Sequence, residues 1–134
     1  MSVRARFKAE VGISSTTAEE KDLGNLSHEV QTDDLGEGAT QKVVVPAGAA
    51  GQVIPCPSIA SAKFLYVRTS PKTETDTPTQ LDFALNGGAE VLPVTPLGTT
   101  KVGFLAVTHP GITSLTVNNG GTVDMVVIVS MAGD

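Results

Sequence analysis

The stretch Ile112-Thr-Ser-Leu-Thr-Val117, Asn118-Asn-Gly-Gly121, Thr122-Val-Asp-Met-Val-Val-Ile-Val-Ser-Met131 decides the fold class. Two runs rich in β-branched residues flank a turn sequence, which is the signature of a β-hairpin. A two-residue Asn119-Gly120 turn would set Val117 opposite Thr122 and Leu115 opposite Asp124, mixing apolar with polar. A three-residue loop, Asn119-Gly120-Gly121, sets Val117 opposite Val123, Leu115 opposite Met125 and Thr113 opposite Val127. The second register gives one clean apolar face, and register is strongly specified where one face is buried. It is therefore the expected one, with Gly121 in the left-handed position of a type I turn plus bulge. The opposite face is polar at the tip (Thr116, Asp124) and apolar below (Ile112, Val126, Ile128). That lower half needs a cover, either another chain or the N-terminal segment.

The remainder of the chain repeats this pattern. Val3 to Val11 alternates strictly: Val3, Ala5, Phe7, Ala9 and Val11 against Arg4, Arg6, Lys8 and Glu10. Period two of that length predicts a half-buried strand. Gly12 to Leu23 reads as loop, Asn25 to Thr32 as a modest strand and Asp33 to Ala39 as an acidic turn. Strands are expected over 40–45, 52–54 and 61–69. The last is the candidate for a central strand, because Phe64, Leu65, Tyr66 and Val67 are apolar on both faces. Further strands are expected over 81–85, 89–94 and 100–108, with turns at Asn86-Gly87-Gly88, Thr95 to Gly98 and His109-Pro110-Gly111. Short strands with turn signals at this spacing predict an all-β fold, an antiparallel, jelly-roll-like β-sandwich of about eight to ten strands. The expected organisation is an N-terminal strand and docking arm over 1–24 and a sandwich over 25–134.

Composition narrows the function classes. A chain of 134 residues is expected to be one domain that buries a core without staples. Cys56, the single cysteine, sits between Pro55 and Pro57 and reads as a small apolar residue. Met1 to Lys8 contain no apolar h-region, so a secretory precursor is not expected, and the longest apolar run, Met125 to Val129, falls far short of the about 20 residues a membrane helix needs. The net charge is −5 and is unevenly spread. Arg4, Arg6 and Lys8 open the chain; eight acids and only Lys21 occupy residues 9–40. An acidic chain without a basic stripe is not expected to bind nucleic acid.

Catalytic and ligand-binding signals are weak. His28 and His109 are the only histidines, read as an exposed strand residue and a turn residue. No nucleophile elbow, zinc-protease helix or phosphate loop is present in the sequence. The loop Asp33-Asp34-Leu35-Gly36-Glu37-Gly38 has the carboxylates a hard cation wants, but not the EF-hand spacing, so it reads as a solvated turn. Asn25-Leu-Ser27 matches a glycosylation sequon by pattern alone. No catalytic residue, metal or cofactor is expected. Arg4, Arg6 and Lys8 share one strand face, which reads either as a charged, aggregation-resistant edge or as a docking arm for an acidic surface.

Four places carry a family resemblance: Lys21-Asp-Leu-Gly24 after the alternating first strand, Ala62-Lys-Phe-Leu-Tyr-Val67, the strand into Asn86-Gly-Gly88, and Gly111-Ile-Thr-Ser-Leu-Thr-Val-Asn118 followed by the valine-rich last strand. In these the chain resembles small all-β virion structural proteins of tailed bacteriophages. The resemblance implies a non-enzymatic capsid decoration protein that coats or stabilises the head in many copies. It implies the major capsid protein or other virion proteins as partners, a homo-oligomer with a trimer favoured, and a place in the virion after assembly in the host cytoplasm. A neck or tail accessory protein is the alternative within that class, and a carbohydrate-binding β-sandwich module the alternative outside it. The expected interface comprises Arg4, Arg6, Lys8, Ile112, Val126 and Ile128.

Overall fold

The structure, a computed structural model, describes residue 4 and residues 6–14, 22–31, 37–55 and 59–134. Cys56, the expected loop residues 15–21 and the acidic residues 33–36 lie outside the described residues. The described residues form ten strands: β1 (Arg6–Ser14), β2 (Asp22–Gln31), β3 (Glu37–Val45), β4 (Gln52–Ile54), β5 (Ala62–Pro71), β6 (Leu81–Leu85), β7 (Leu92–Val94), β8 (Gly103–Ile112), β9 (Leu115–Asn118) and β10 (Met125–Gly133). Among the described residues there is no helix.

Strands β3 to β10 build two antiparallel four-stranded sheets, β3-β10-β5-β8 and β4-β9-β6-β7. The pairs β3/β10, β4/β9, β5/β8 and β6/β7 are nested, each inside the one before. They form one long antiparallel ribbon folded over on itself. Two further pairings, β10 with β5 and β9 with β6, close each sheet. This is the winding of a jelly roll, an all-β sandwich.

The ribbon corrects the expected C-terminal hairpin. β9 pairs with β4 and β6, whereas β10 pairs with β3 and β5, so the segment between them crosses from one sheet to the other. The apolar face is nevertheless the odd-numbered one. Leu115, Val117, Met125, Val127 and Val129 all point into the core, because each strand alternates whatever its partner is. Gly121 is not left-handed either; among the described residues the glycines with positive φ are Gly48, Gly51, Gly87 and Gly98. Its requirement is space, since a Cβ there would collide with the Thr79 side chain.

The core fills the gap between the sheets. Val45, Leu65, Val67, Met125, Val127 and Val129 come from one side, and Ile54, Leu81, Phe83, Val94, Leu115 and Val117 from the other. β5 is an interior strand, as its two apolar faces require: Leu65 and Val67 face the core, while Phe64 packs on the outside with Ala132. Expected turn residues 109–111 instead form a bulge in β8, three residues opposing Lys63 alone between the pairs Ala62/Ile112 and Phe64/Thr108. β8 is an edge strand, where a proline and a bulge are tolerated. Lys63 Nζ donates to the Pro110 carbonyl at 2.7 Å, and Gly111 N donates to His109 Nδ1 at 2.9 Å.

One core position is polar without compensation. Thr69 is fully buried, and its Oγ1 has no hydrogen-bond partner. Valine has nearly the same shape and removes the stranded hydroxyl. Thr69→Val should therefore raise the unfolding free energy by about 1 kcal/mol, read from the urea midpoint; a lower midpoint would show that the hydroxyl is satisfied.

Among the described residues β1 and β2 pair only with each other, from Arg6 opposite Gln31 to Ser14 opposite Asp22, with an irregularity beside Ile13. The expected boundary at residue 24 thus falls inside β2. Phe7 docks this ribbon on the outer surface of β5, with ring centroids 6.3 Å from Phe64 and 5.7 Å from Tyr66. Arg6, Lys8 and Glu10 stay exposed on the opposite side, as their alternation requires.

Candidate docking surface

The outer face of the β3-β10-β5-β8 sheet is the candidate site, and strand register places its residues in rows. Ile128 lies opposite Lys42 on β3 and Arg68 on β5, and Arg68 lies opposite Phe104 on β8. The next row sets Val126 between Val44 and Ser70. A row farther along sets Ser130 between Thr40 and Tyr66, and the last sets Ala132 between Gly38 and Phe64.

The two ends of this face are treated differently. At the Ala132 end, Phe7 and Tyr66 cover Phe64 and Ala132, which become buried. At the other end Phe104 is 62% exposed and Val44 41% exposed, and Val126 and Ile128 are half-buried. The N-terminal ribbon therefore covers one half of the face and leaves the Val126/Ile128 half open.

The open half carries a concentration of positive charge. A cleft of about 590 Å³ is lined by Lys42, Arg68, Lys72 and Lys101 above Val126 and Ile128. Glu74 is the one acid in its lining. Lys101 Nζ donates to the main-chain carbonyls of Glu74 at 2.7 Å and Asp76 at 2.8 Å, which fixes one wall. Lys42, Arg68 and Lys72 make no side-chain hydrogen bond or ion pair among the described residues. In a chain of net charge −5, gathering four of nine cations here is not a uniform scatter.

Of the expected interface residues, Val126 and Ile128 are brought together on this face. Ile112 is not. It ends β8 on the core side and is 2% exposed, because the chain crosses between sheets after it and no hairpin carries it to the Val126 face. Arg4, Arg6 and Lys8 are exposed, and Arg4 and Arg6 line a separate recess beside Phe64 and Ala132. Both of these arginines already have an interaction partner. Sequence reasoning missed Lys42, Val44, Arg68 and Phe104. Each sits on an even strand position, but only the non-local order β3-β10-β5-β8 makes them neighbours.

Among the described residues no other constellation of chemical groups competes with this surface. His109 is occupied within the β8 bulge by the Gly111 amide. Among the described residues no three His, Cys, Asp or Glu side chains come together to hold a metal, and no helix is long and apolar enough to cross a membrane. Asn86, at φ 54°, is a structural turn: its Oδ1 accepts from Thr113 N at 2.7 Å and its Nδ2 donates to the Gly111 carbonyl at 2.9 Å. Comparison with protein-family models, with curated proteins and with solved structures finds no match to this chain.

Proposed function

We propose that this protein is a non-enzymatic structural subunit of a tailed-bacteriophage virion, coating the head in many copies. The observation that carries the reading is the half-covered outer sheet face. The chain covers its Phe64/Ala132 end with its own Phe7 and leaves Val44, Phe104, Val126 and Ile128 open beside unpaired cations. Apolar side chains clustered within a charged rim are what a partner surface buries, each fully buried Val, Ile or Phe contributing about 1.5–3 kcal/mol. The sequence resemblance supplies the virion setting. The jelly-roll winding adds an analogy only, since the architecture also serves viral capsid and lectin domains.

In this reading the partner is the major capsid protein, and the subunit acts as a homo-oligomer, a trimer being favoured. Assembly takes place in the host cytoplasm. The test is to add purified protein to heads lacking it and image them. Regular added density at symmetry-related positions on the head is expected. Density confined to the neck or tail would move the subunit there, and no added density would remove the virion role.

A further inference from the structure

The cleft above Ile128 has a chemistry that selects its occupant. Lys42 and Arg68 stand on either side of Ile128 in one register row, two strand spacings or about 10 Å apart. Lys72 adds a third cation at the rim, and all three are exposed. Phe104 extends the row beyond Arg68. The pattern across the sheet is cation, apolar, cation, apolar.

Unpaired cations around an apolar floor complement carboxylates flanking an apolar side chain. A bare polyanion fits less well. Its long run of charge would feel the net −5 of the chain, and it offers nothing to Ile128, Val126 and Phe104. A short acidic segment responds mainly to charges within a Debye length of about 8 Å at physiological salt, where the cleft is positive.

We propose that this cleft binds an acidic polypeptide segment of the partner protein, with carboxylates placed on both sides of an apolar residue. Lys42, Arg68 and Lys72 receive the carboxylates, and Ile128 and Val126 receive the apolar side chain. Lys101, tied to the carbonyls of Glu74 and Asp76, holds the wall and adds its charge. The inference rests on the reading of this face as the docking surface and names the partner's chemistry there.

The test uses the whole protein and a short, end-blocked, fluorescent peptide in which serine separates alternating glutamates and leucines, so that its extended form sets carboxylates on both sides of a leucine on one face. Binding is expected, weakening as NaCl is raised. The variant Lys42→Glu/Arg68→Glu/Lys72→Glu should bind at least about tenfold more weakly, the sum of three partly exposed charge contacts. Its unfolding midpoint should stay close to that of the parent, because none of the three side chains has a hydrogen-bond or ion-pair partner among the described residues. If it does not fold, the matching glutamine variant carries the comparison. Absence of binding by the parent, equal binding by the variant, or tighter binding of oligothymidylate or inorganic polyphosphate than of the peptide would each overturn the proposal. The peptide measurement needs no virion. It can fail while heads are still decorated, and it can succeed where decoration fails.

Discussion

Replacing Asn119 with Asp should destabilise the protein by roughly 3–5 kcal/mol, although the two side chains have the same shape. Asn119 is fully buried, and its amide uses every hydrogen-bonding site it has. Nδ2 donates to the carbonyls of Val45 at 3.2 Å and Val123 at 2.9 Å. Oδ1 accepts from Thr79 Oγ1 at 3.1 Å and from Gly121 N at 3.0 Å. Its own main-chain N–H donates to the Ala49 carbonyl at 2.8 Å. One side chain thus ties the end of β3, the loop before β6 and the crossover from β9 to β10. Aspartate would turn two donors into acceptors and press a carboxylate against two carbonyl oxygens away from water. The neighbouring Asn118 is the control: it is exposed, and its Oδ1 only accepts from Gly51 N, which a carboxylate also does. Asn118→Asp should change stability by no more than about 0.5 kcal/mol. Urea unfolding of the two variants checks this, and similar midpoints for both would show that Asn119 is not the tie described.

The second large effect separates core from surface among the phenylalanines. Phe83 lies on β6, opposite Val117 and Leu92, and is fully buried between the sheets. Phe83→Ala should cost about 3–5 kcal/mol, the lost transfer energy plus the cavity left in a packed core. Phe104 faces solvent from the edge strand β8, so Phe104→Ala should alter stability by less than about 0.5 kcal/mol. Thermal unfolding distinguishes them. A large loss for Phe104→Ala would place that ring in the core and remove it from the docking surface.

Much of the fold was legible in the sequence because strand alternation is local. Arg6 to Glu10, the run around Phe64 to Val67, and the odd positions from Leu115 to Val129 carry their burial in their own period. The partners were not legible. An apolar stripe such as Leu115/Val117 satisfies any antiparallel neighbour with a matching stripe, and the nearest candidate in sequence was Met125 to Val129. The ribbon instead joins Val45 to Met125 and Ile54 to Leu115, pairings between residues far apart in the chain. The crossover that stands in place of the local hairpin is held by the polar knot at Asn119, whose partners, Val45, Ala49 and Thr79, are invisible to a local reading.

The candidate surface was legible to the same depth. Val126 and Ile128 declared themselves as apolar residues on the polar-tipped face of the last strand. Ile112 looked equivalent only while a hairpin was assumed. Lys42 and Arg68 read as ordinary strand charges until register set them on either side of Ile128.

The docking face is the central claim, and a matched pair of valines tests it most directly. Val126 lies on that face; Val53 lies on β4 of the opposite sheet and is 64% exposed. Both Val126→Glu and Val53→Glu should remain folded. In co-sedimentation with heads lacking the protein, Val53→Glu should bind like the parent. Val126→Glu should bind at least about tenfold more weakly, since a buried apolar contact is replaced by a charge that repels an acidic partner. Equal binding by the two variants, or a loss confined to Val53→Glu, would contradict the account.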